Sequence, residues 1–292
     1  MWPWRVKHYA RKIFDSVQPD IVHIQSHIVI GRGLSRIAHE RGIPVIATNH
    51  VMAENILDHT TMPKFIDDLV LRFAWADAKR TFGLVRAITT PTRRAADFLE
   101  RTVEVTGVIP VSCGIDRTQY TPVIAPRDKN RIIFVGRLTA EKQVEVILEA
   151  MTKLDPALEA TFDIVGGGDQ RKQLENLATQ LGIADRVTFH GRTTDEQLRA
   201  LLSRASVFTI ASIAELQSIA TMEAMASALP IVAADAVALP HLVHDGENGY
   251  LFEPGNADAL AARLTDVLTA SPGEYARCLL YTSDAADEED SV

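Results

Sequence analysis

The chain has 292 residues, of which 47% are hydrophobic and 6% aromatic, and this length and composition suit two α/β domains of ordinary size. No apolar run approaches the ~20 residues that a membrane-spanning helix needs. The two cysteines, Cys113 and Cys278, indicate neither a disulfide framework nor a zinc site, so we expect a cytoplasmic protein.

The charge is distributed unevenly along the chain. Residues 1–112 contain 15 Lys/Arg and 11 Asp/Glu, whereas residues 113–292 contain 15 and 27, and the net charge is −8. A basic first part suits contact with an anionic surface or acceptor, although ordinary scatter explains the difference as well. We expect no nucleic-acid partner.

Strands and helices alternate in the first part of the chain. A helix comes first, strands are predicted at 20–25, 43–50 and 86–91, and helices at 31–41, 62–84 and 92–102, before an exit segment at 108–111. This alternation predicts a parallel, doubly wound sheet.

The second part repeats this scheme. Its strands are predicted at 131–136, 160–166, 186–191, 206–211, 230–234 and 250–252, and its helices at 144–154, 170–181, 194–204, from Ser218 onward and at 258–268, with Thr194 as a cap. The linker 114–130 shows no period. We therefore predict domains at 1–122 and 123–277. The acidic tail at 278–292 resembles translated adapter sequence or a disordered segment more than a domain.

Two glutamates, Glu215 and Glu223, lie between the predicted strands 206–211 and 230–234. Ser218 is a natural N-cap for the helix between them, and the amides that follow it welcome an anion. The glutamates flank this anion site, so a ligand with a central diphosphate and hydroxyl-rich sugars at both ends fits the layout. An isolated pair of this kind is otherwise typical of solvated helix-face carboxylates.

This run resembles the E-x7-E motif of the retaining glycosyltransferases of family 4, which have the GT-B fold. The resemblance implies an α/β chain with two Rossmann-like, doubly wound parallel-sheet domains, of which the N-terminal one is incomplete here. It implies that Glu215 contacts the donor sugar and Glu223 the nucleotide ribose. Gln217, Ser218 and Ile219 belong to the same implied donor-binding loop.

A second match is the run from Phe134 to Lys142. It resembles the family's strand that ends in Gly-Arg and is followed by a lysine. Gly136 would let the backbone approach the ligand, and Arg137 and Lys142 would neutralise the departing diphosphate. The chain contains no Asp-x-Asp metal motif, so we expect no metal and no cofactor besides the UDP- or GDP-sugar donor. Surface solvation is the alternative for both cations.

Two strand ends resemble the family's nucleotide loops. Gly167 lies in the glycine run 166–168 beside the nucleotide, and the backbone near Arg192 would meet the base. A base contacted mainly by backbone does not separate UDP from GDP. The segment 113–122 resembles the family's crossover between domains, with Cys113 where asparagine is usual.

In the first part, His50 follows a predicted strand, and the family has a histidine here near the transferred sugar; a hydrogen-bonded structural histidine is the alternative. The run 50–55 most resembles members that glucosylate diacylglycerol, and phosphatidylinositol mannosyltransferases are comparable. With the basic first part and the segment 65–75, this favours a lipid acceptor and a peripheral place at the inner membrane face. A carbohydrate or other soluble acceptor is the alternative.

Some features depart from the family or lead nowhere. Ala228 replaces a usual glycine, and His241 stands where glutamate is common. The pairs His23/His27 and His241/His244 lack a third metal ligand nearby.

The expected function is transfer of a hexose from a nucleotide-diphosphate sugar to an acceptor hydroxyl with retention. The alternatives are a GT-B sugar-nucleotide epimerase and a nucleotide-binding fragment without turnover.

Overall fold

The structure is a computed structural model, which describes residues 5–50, 64–122 and 130–271. The chain forms two compact units, Met1–Ser112 and Cys113–Val292. This division and the predicted one differ in the assignment of residues 113–122. The predicted acidic tail lies outside the described residues.

The first unit contains a parallel sheet with strand order β1-β2-β3-β4. Its register pairs Val22 with Val45 and Ile46 with Ala87, which confirms the predicted parallel arrangement. The elements are α1 (Val6–Val17), β1 (Val22–Ile24), α2 (Ile30–Glu40), β2 (Val45–Thr48), α3 (Lys64–Phe82), β3 (Ala87–Thr90), α4 (Arg93–Val103) and β4 (Ile109–Pro110).

The core of the first unit lies where the helices cover this sheet. Ile37 of α2, Leu99 of α4 and Val45 of β2 are almost fully buried in it. Helix α4 begins at a side-chain cap, because Thr92 Oγ1 accepts a hydrogen bond from the amide of Ala95 at 3.1 Å. The predicted helix 62–84 begins two residues before the described part of α3.

The second unit contains a six-stranded sheet whose described pairings are all parallel, with strand order β10-β9-β8-β5-β6-β7. Both faces are covered by helices, so β8 and β9 are buried at every residue. The elements are β5 (Arg131–Val135), α5 (Val144–Lys153), β6 (Thr161–Val165), α6 (Arg171–Gln180), β7 (Val187–Gly191), α7 (Asp195–Arg204), β8 (Val207–Ile210), α8 (Ile219–Ala226), β9 (Ile231–Ala234), α9 (Leu239–Leu242), β10 (Gly249–Phe252) and α10 (Ala257–Leu268).

The strand order of the second sheet reverses between β5 and β8. In an open parallel sheet, the loops that follow two such strands diverge to opposite faces and leave a crevice at the carboxyl ends. The loops that follow β5 and β8 therefore border the place where this fold binds ligands. Among the helices within the described ranges, none is long and apolar enough to cross a membrane.

Candidate functional site

The loops that follow β5 and β8 are joined to each other. The backbone carbonyl of Glu141, in the first loop, accepts hydrogen bonds from the hydroxyl of Ser212 at 3.2 Å and the amide of Ile213 at 3.0 Å. The contact from Ser212 is buried. The residues that the sequence predicts for diphosphate and sugar binding thus lie on one connected surface at the switch point.

Lys142 and Glu215 form an ion pair inside this surface. The ammonium of Lys142 donates a hydrogen bond to Oε1 of Glu215, and the two side chains are only 13% and 10% exposed. Their residues are 73 positions apart in the sequence. At this burial each charge needs the other, because a lone charge is costly away from water. The structure therefore brings together a cation predicted for the diphosphate and a carboxylate predicted for the sugar.

Arg137 contacts a buried carboxylate that sequence analysis missed. Its guanidinium lies 3.5 Å from Oε1 of Glu141, while the arginine side chain itself is 70% exposed. Glu141 is buried and also accepts a hydrogen bond from the hydroxyl of Thr139 at 2.6 Å. Its second oxygen, Oε2, is buried and has no hydrogen-bond partner within the described ranges. The sequence signal that could have identified Glu141 is its position between Arg137 and Lys142, the two cations predicted to bind the diphosphate.

The amino end of α8 follows the second loop. Ser218 is the N-cap, and its hydroxyl accepts a hydrogen bond from the amide of Thr221 at 3.3 Å, which confirms the predicted cap. The amides of Ile219 and Ala220 come before the first intrahelical acceptor is available, so they are free in principle to bind an anion. Gln217, just before the cap, accepts a hydrogen bond from the amide of Cys113 at 2.8 Å.

Glu223, inside α8, is held by a tyrosine. The hydroxyl of Tyr120 donates a hydrogen bond to Oε1 of Glu223 at 2.7 Å. Burial raises the pKa of Glu223 above its ordinary value; the bond from Tyr120 opposes the rise and the nearby charge of Asp195 adds to it. Burial, together with Glu223, also raises the pKa of Tyr120. Both groups are thus held in an environment that disfavours added negative charge.

The glycine run after β6 packs against the loop after β5. A Cβ on Gly166, whose φ is +129°, would lie 1.8 Å from the carbonyl oxygen of Gly136, and one on Gly168 would lie 2.1 Å from that of Leu138. A Cβ on Gly167 would meet only Cγ of Arg192, at 4.0 Å. Sequence analysis selected Gly167, whereas the residues that require glycine for packing are its two neighbours.

Arg192 lines a cleft of about 430 Å³ between the end of β7 and α7. Two arginines and a histidine give the cleft a basic wall. In the same place the ring of His190 forms a 2.6 Å hydrogen bond with the buried carboxylate of Asp163. The lining residues are His190, Arg192, Thr193, Gln197, Ala200, Leu201 and Arg204.

His50 lies in the first unit, just after β2. Its ring nitrogen Nε2 is 3.0 Å from the side-chain oxygen of Gln25, which follows β1, so the carboxyl ends of two parallel strands place these groups together. His27 is buried and stacks against Trp75, and burial lowers its pKa. The continuation of the His50 motif, residues 51–55, lies outside the described residues.

The described part of the predicted lipid-facing segment exposes Phe73, which is 68% accessible, and Val70. Within the same described residues, no three His, Cys, Asp or Glu side chains converge as a metal site would require.

Ala228, where the related family has glycine, has a φ of +53°. Glycine adopts this conformation without strain, so the structure gives a physical reason for that preference.

Comparison with known proteins identifies relatives of both parts of the chain. The sequence profile described as "Glycosyl transferases group 1" matches residues 117–279, and that of "Glycosyltransferase Family 4" matches residues 1–119. The MMP alpha-(1->4)-mannosyltransferase of Mycolicibacterium hassiacum is 31% identical over 268 residues, covering 88% of this chain and 64% of that protein. The chain spans between 36% and 64% of the length of the curated relatives it first matches.

Solved structures share the fold. A sucrose-phosphate synthase from Thermosynechococcus elongatus matches with a TM-score of 0.84 and 20% identity, over 98% of this chain and 73% of that one. Anabaena HepE, in a crystal structure with UDP-glucose, matches with a TM-score of 0.78 and 20% identity, over 97% and 77%. The predicted α/β fold with two Rossmann-like, parallel-sheet domains is thereby confirmed.

Proposed function

The chain belongs to the group 1 glycosyl transferases, and we propose that it takes part in transfer of a hexose from UDP- or GDP-hexose to an acceptor hydroxyl, with retention of configuration at the sugar. The observation that carries this proposal is the buried Lys142–Glu215 pair, which lies on a surface joined to the capped start of α8 at the switch point of the second sheet. This arrangement supplies a cation, helix amides and a carboxylate to neighbouring parts of one ligand.

The chemistry follows from these groups. The bond between the sugar C1 and the diphosphate oxygen breaks as charge develops on the leaving diphosphate, which Arg137, Lys142 and the first amides of α8 stabilise. Glu215 accepts hydrogen bonds from sugar hydroxyls. The acceptor oxygen bonds to C1 on the face that the diphosphate leaves, and its proton passes to a departing phosphate oxygen. His50 is proposed to contact the transferred sugar.

We propose that no metal or resident cofactor is needed for this step. The exposed Arg137 side chain and the amides at the start of α8, with a smaller contribution from the paired Lys142, can stabilise the negative charge that a metal would otherwise stabilise. Turnover that is unchanged by EDTA supports this view, and activity that returns only with added Mg²⁺ or Mn²⁺ contradicts it.

We propose a lipid acceptor, reached by peripheral contact of the first unit with an anionic membrane face on the cytoplasmic side. The support is the excess of basic residues in 1–112 and the exposed ring of Phe73. Flotation of the full chain with anionic vesicles, but not with neutral ones, supports the proposal. Transfer to a carbohydrate acceptor without any vesicle binding contradicts it.

Nucleotide titration of the full chain tests the donor site. UDP, GDP and ADP are titrated calorimetrically into the unmodified protein and into Arg137→Ala, which is chosen because the exposed Arg137 side chain contributes little to folding. Arg263→Ala is the matched control, because Arg263 of α10 carries the same charge as Arg137 but its guanidinium lies over the ring of Tyr250 in β10. We expect selective binding of UDP or GDP that falls at least tenfold in Arg137→Ala alone, as loss of a charged contact implies.

The same protein distinguishes the alternatives. No binding of any nucleotide by the folded chain would contradict the proposal. Binding followed by conversion of the donor sugar without an acceptor would indicate an epimerase, and binding with no conversion under any condition would indicate a binding fragment. The stereochemistry of a transferred sugar, measured by NMR, separates retention from inversion.

A further inference from the structure

The segment 113–120 contacts the α8 region at two points. At one end the amide of Cys113 donates a hydrogen bond to Oε1 of Gln217 at 2.8 Å, and at the other the hydroxyl of Tyr120 donates to Oε1 of Glu223 at 2.7 Å. Both acceptors are residues predicted to bind the donor. The segment itself is distant from them in sequence, by 104 and 103 positions.

The geometry at Glu223 fixes one carboxylate oxygen and not the other. Oε1 receives the Tyr120 hydroxyl, so this hydrogen bond holds Oε1 and leaves Oε2 as the oxygen that the tyrosine does not engage. The phenol ring is itself held, because Tyr120 packs on the core of the second unit. A rigid aromatic donor on one oxygen sets the rotation of the carboxylate and thus the direction in which the second oxygen points.

We propose that Tyr120 is a positioning residue for the nucleotide ribose, which holds Glu223 through Oε1 so that Oε2 accepts the ribose hydroxyls. This inference rests on the proposed function of the site. A ribose presents neutral hydroxyl donors, which suit a partly buried carboxylate whose surroundings disfavour further negative charge. The specificity is therefore for ribonucleotides, independent of the base.

The environment of Glu223 is consistent with this role. Two charged groups act on its carboxylate in addition to the hydrogen bond from Tyr120. Asp195 raises the pKa of Glu223, and Arg199 lowers it. Arg199 also donates to the side-chain oxygen of Gln119 at 3.3 Å, beside Tyr120. Removing the Tyr120 hydroxyl takes away a bond that lowers the pKa of Glu223, so the carboxylate is then protonated at a higher pH.

The test compares nucleotides that differ only at the ribose. The full chain and Tyr120→Phe are titrated with UDP and GDP and with their 2′,3′-dideoxy analogues. Tyr250→Phe is the matched control, because Tyr250 is in the same unit and is partly exposed beside Arg263. We expect the unmodified protein to favour the ribonucleotide by about tenfold or more, as hydrogen bonds to a charged group imply. In Tyr120→Phe this preference should fall to about threefold or less, while affinity for the dideoxy nucleotide stays within about twofold.

Two further readouts separate positioning from general structure. Glu223→Gln should also remove the ribose preference, and Tyr120→Phe should add nothing to it in the double variant, since both changes act on one contact. The acidic limb of ribonucleotide binding should move to higher pH in Tyr120→Phe, because the loss of its hydrogen bond raises the pKa of Glu223.

An unchanged ribose preference in Tyr120→Phe would overturn the proposal, and so would an equal loss of affinity for both kinds of nucleotide, which indicates a structural role only. These outcomes differ from failure of the proposed function, in which the unmodified chain binds no nucleotide at all.

Discussion

The glycine run after β6 offers a test in which the middle residue is the control for its neighbours. Gly166→Ala places a methyl group 1.8 Å from the carbonyl oxygen of Gly136 and at a φ of +129°. Gly168→Ala places one 2.1 Å from the carbonyl oxygen of Leu138. Both obstacles are backbone atoms of the loop that carries Arg137, so they cannot be relieved by turning a side chain.

The magnitude follows from these distances. Ordinary contacts of a Cβ begin at 3.4 Å, so the two loops must separate by roughly 1.6 Å in Gly166→Ala and about 1.3 Å in Gly168→Ala. In Gly166→Ala, strain at a φ reserved for glycine costs roughly 1–3 kcal/mol and the lost packing adds to it, whereas in Gly168→Ala the clash with the backbone alone carries the cost. We expect each variant to lose about 2–4 kcal/mol of unfolding free energy, or about 4–16 °C in the Tm of the second unit.

Gly167→Ala should behave differently. Its methyl group would meet only Cγ of Arg192 at 4.0 Å, an ordinary contact, so the change in unfolding free energy should stay within about 0.5 kcal/mol. If the backbone of Gly167 lies against the nucleotide, as predicted, this variant lowers nucleotide affinity without lowering Tm.

The assay is thermal unfolding of the three full-length variants, followed by circular dichroism, together with UDP and GDP titration. Gly166→Ala and Gly168→Ala should lower both Tm and nucleotide affinity, because displacement of the loop moves Arg137. A Tm equal to that of the unmodified protein in both variants, or an equal loss in Gly167→Ala, would refute the packing argument.

Three further substitutions test charge and backbone strain in the same unit. Burial raises the folded pKa of Glu223, so the free energy of unfolding of the unmodified protein falls as pH rises through that pKa. In Glu223→Gln this decrease should be absent when thermal unfolding is measured against pH, and stability at neutral pH should be unchanged or higher. Lys142→Ala should cost about 3–5 kcal/mol in urea unfolding by leaving the Glu215 carboxylate unpaired, and Glu215→Gln in addition should restore part of it. Gln143→Gly should raise the free energy of unfolding by about 1 kcal/mol, because the φ of Gln143 is +47°. An unchanged urea midpoint would argue against strain there.

Local features of the fold could be predicted because their causes are local in sequence. Thr194 forms a capping box with Gln197 at the start of α7, and Ser218 caps α8, as their side chains indicate. The alternation of apolar strands with amphipathic helices was also sufficient for the parallel α/β class. Strand ends were predicted too long, as at 43–50, where only Val45–Thr48 pair in the sheet.

Contacts between distant residues could not be predicted from the same signals. The reversal of strand order between β5 and β8 depends on how the strand–helix pairs pack against one another within the second unit. Because β5 and β8 are neighbours, the loops that carry Lys142 and Glu215 are brought into contact. The bond between Tyr120 and Glu223 depends in turn on where the crossover segment lies. Glu141 was missed because an acid beside predicted cations is usually a solvated charge, whereas here it is buried.

The charges of the candidate site show why the helix terminus matters for the proposed donor. Lys142 is paired with Glu215, and Arg137 lies 3.5 Å from Glu141, so the two cations and two carboxylates together carry no net charge. A diphosphate therefore meets little net attraction from these four groups unless one pair rearranges. The Lys142 pair is buried, and breaking it leaves a costly lone charge, whereas the exposed Arg137 side chain can turn at little cost. We infer that Arg137 and the amides of α8 supply most of the attraction for the phosphates, and that Lys142 holds the Glu215 carboxylate in place for the sugar.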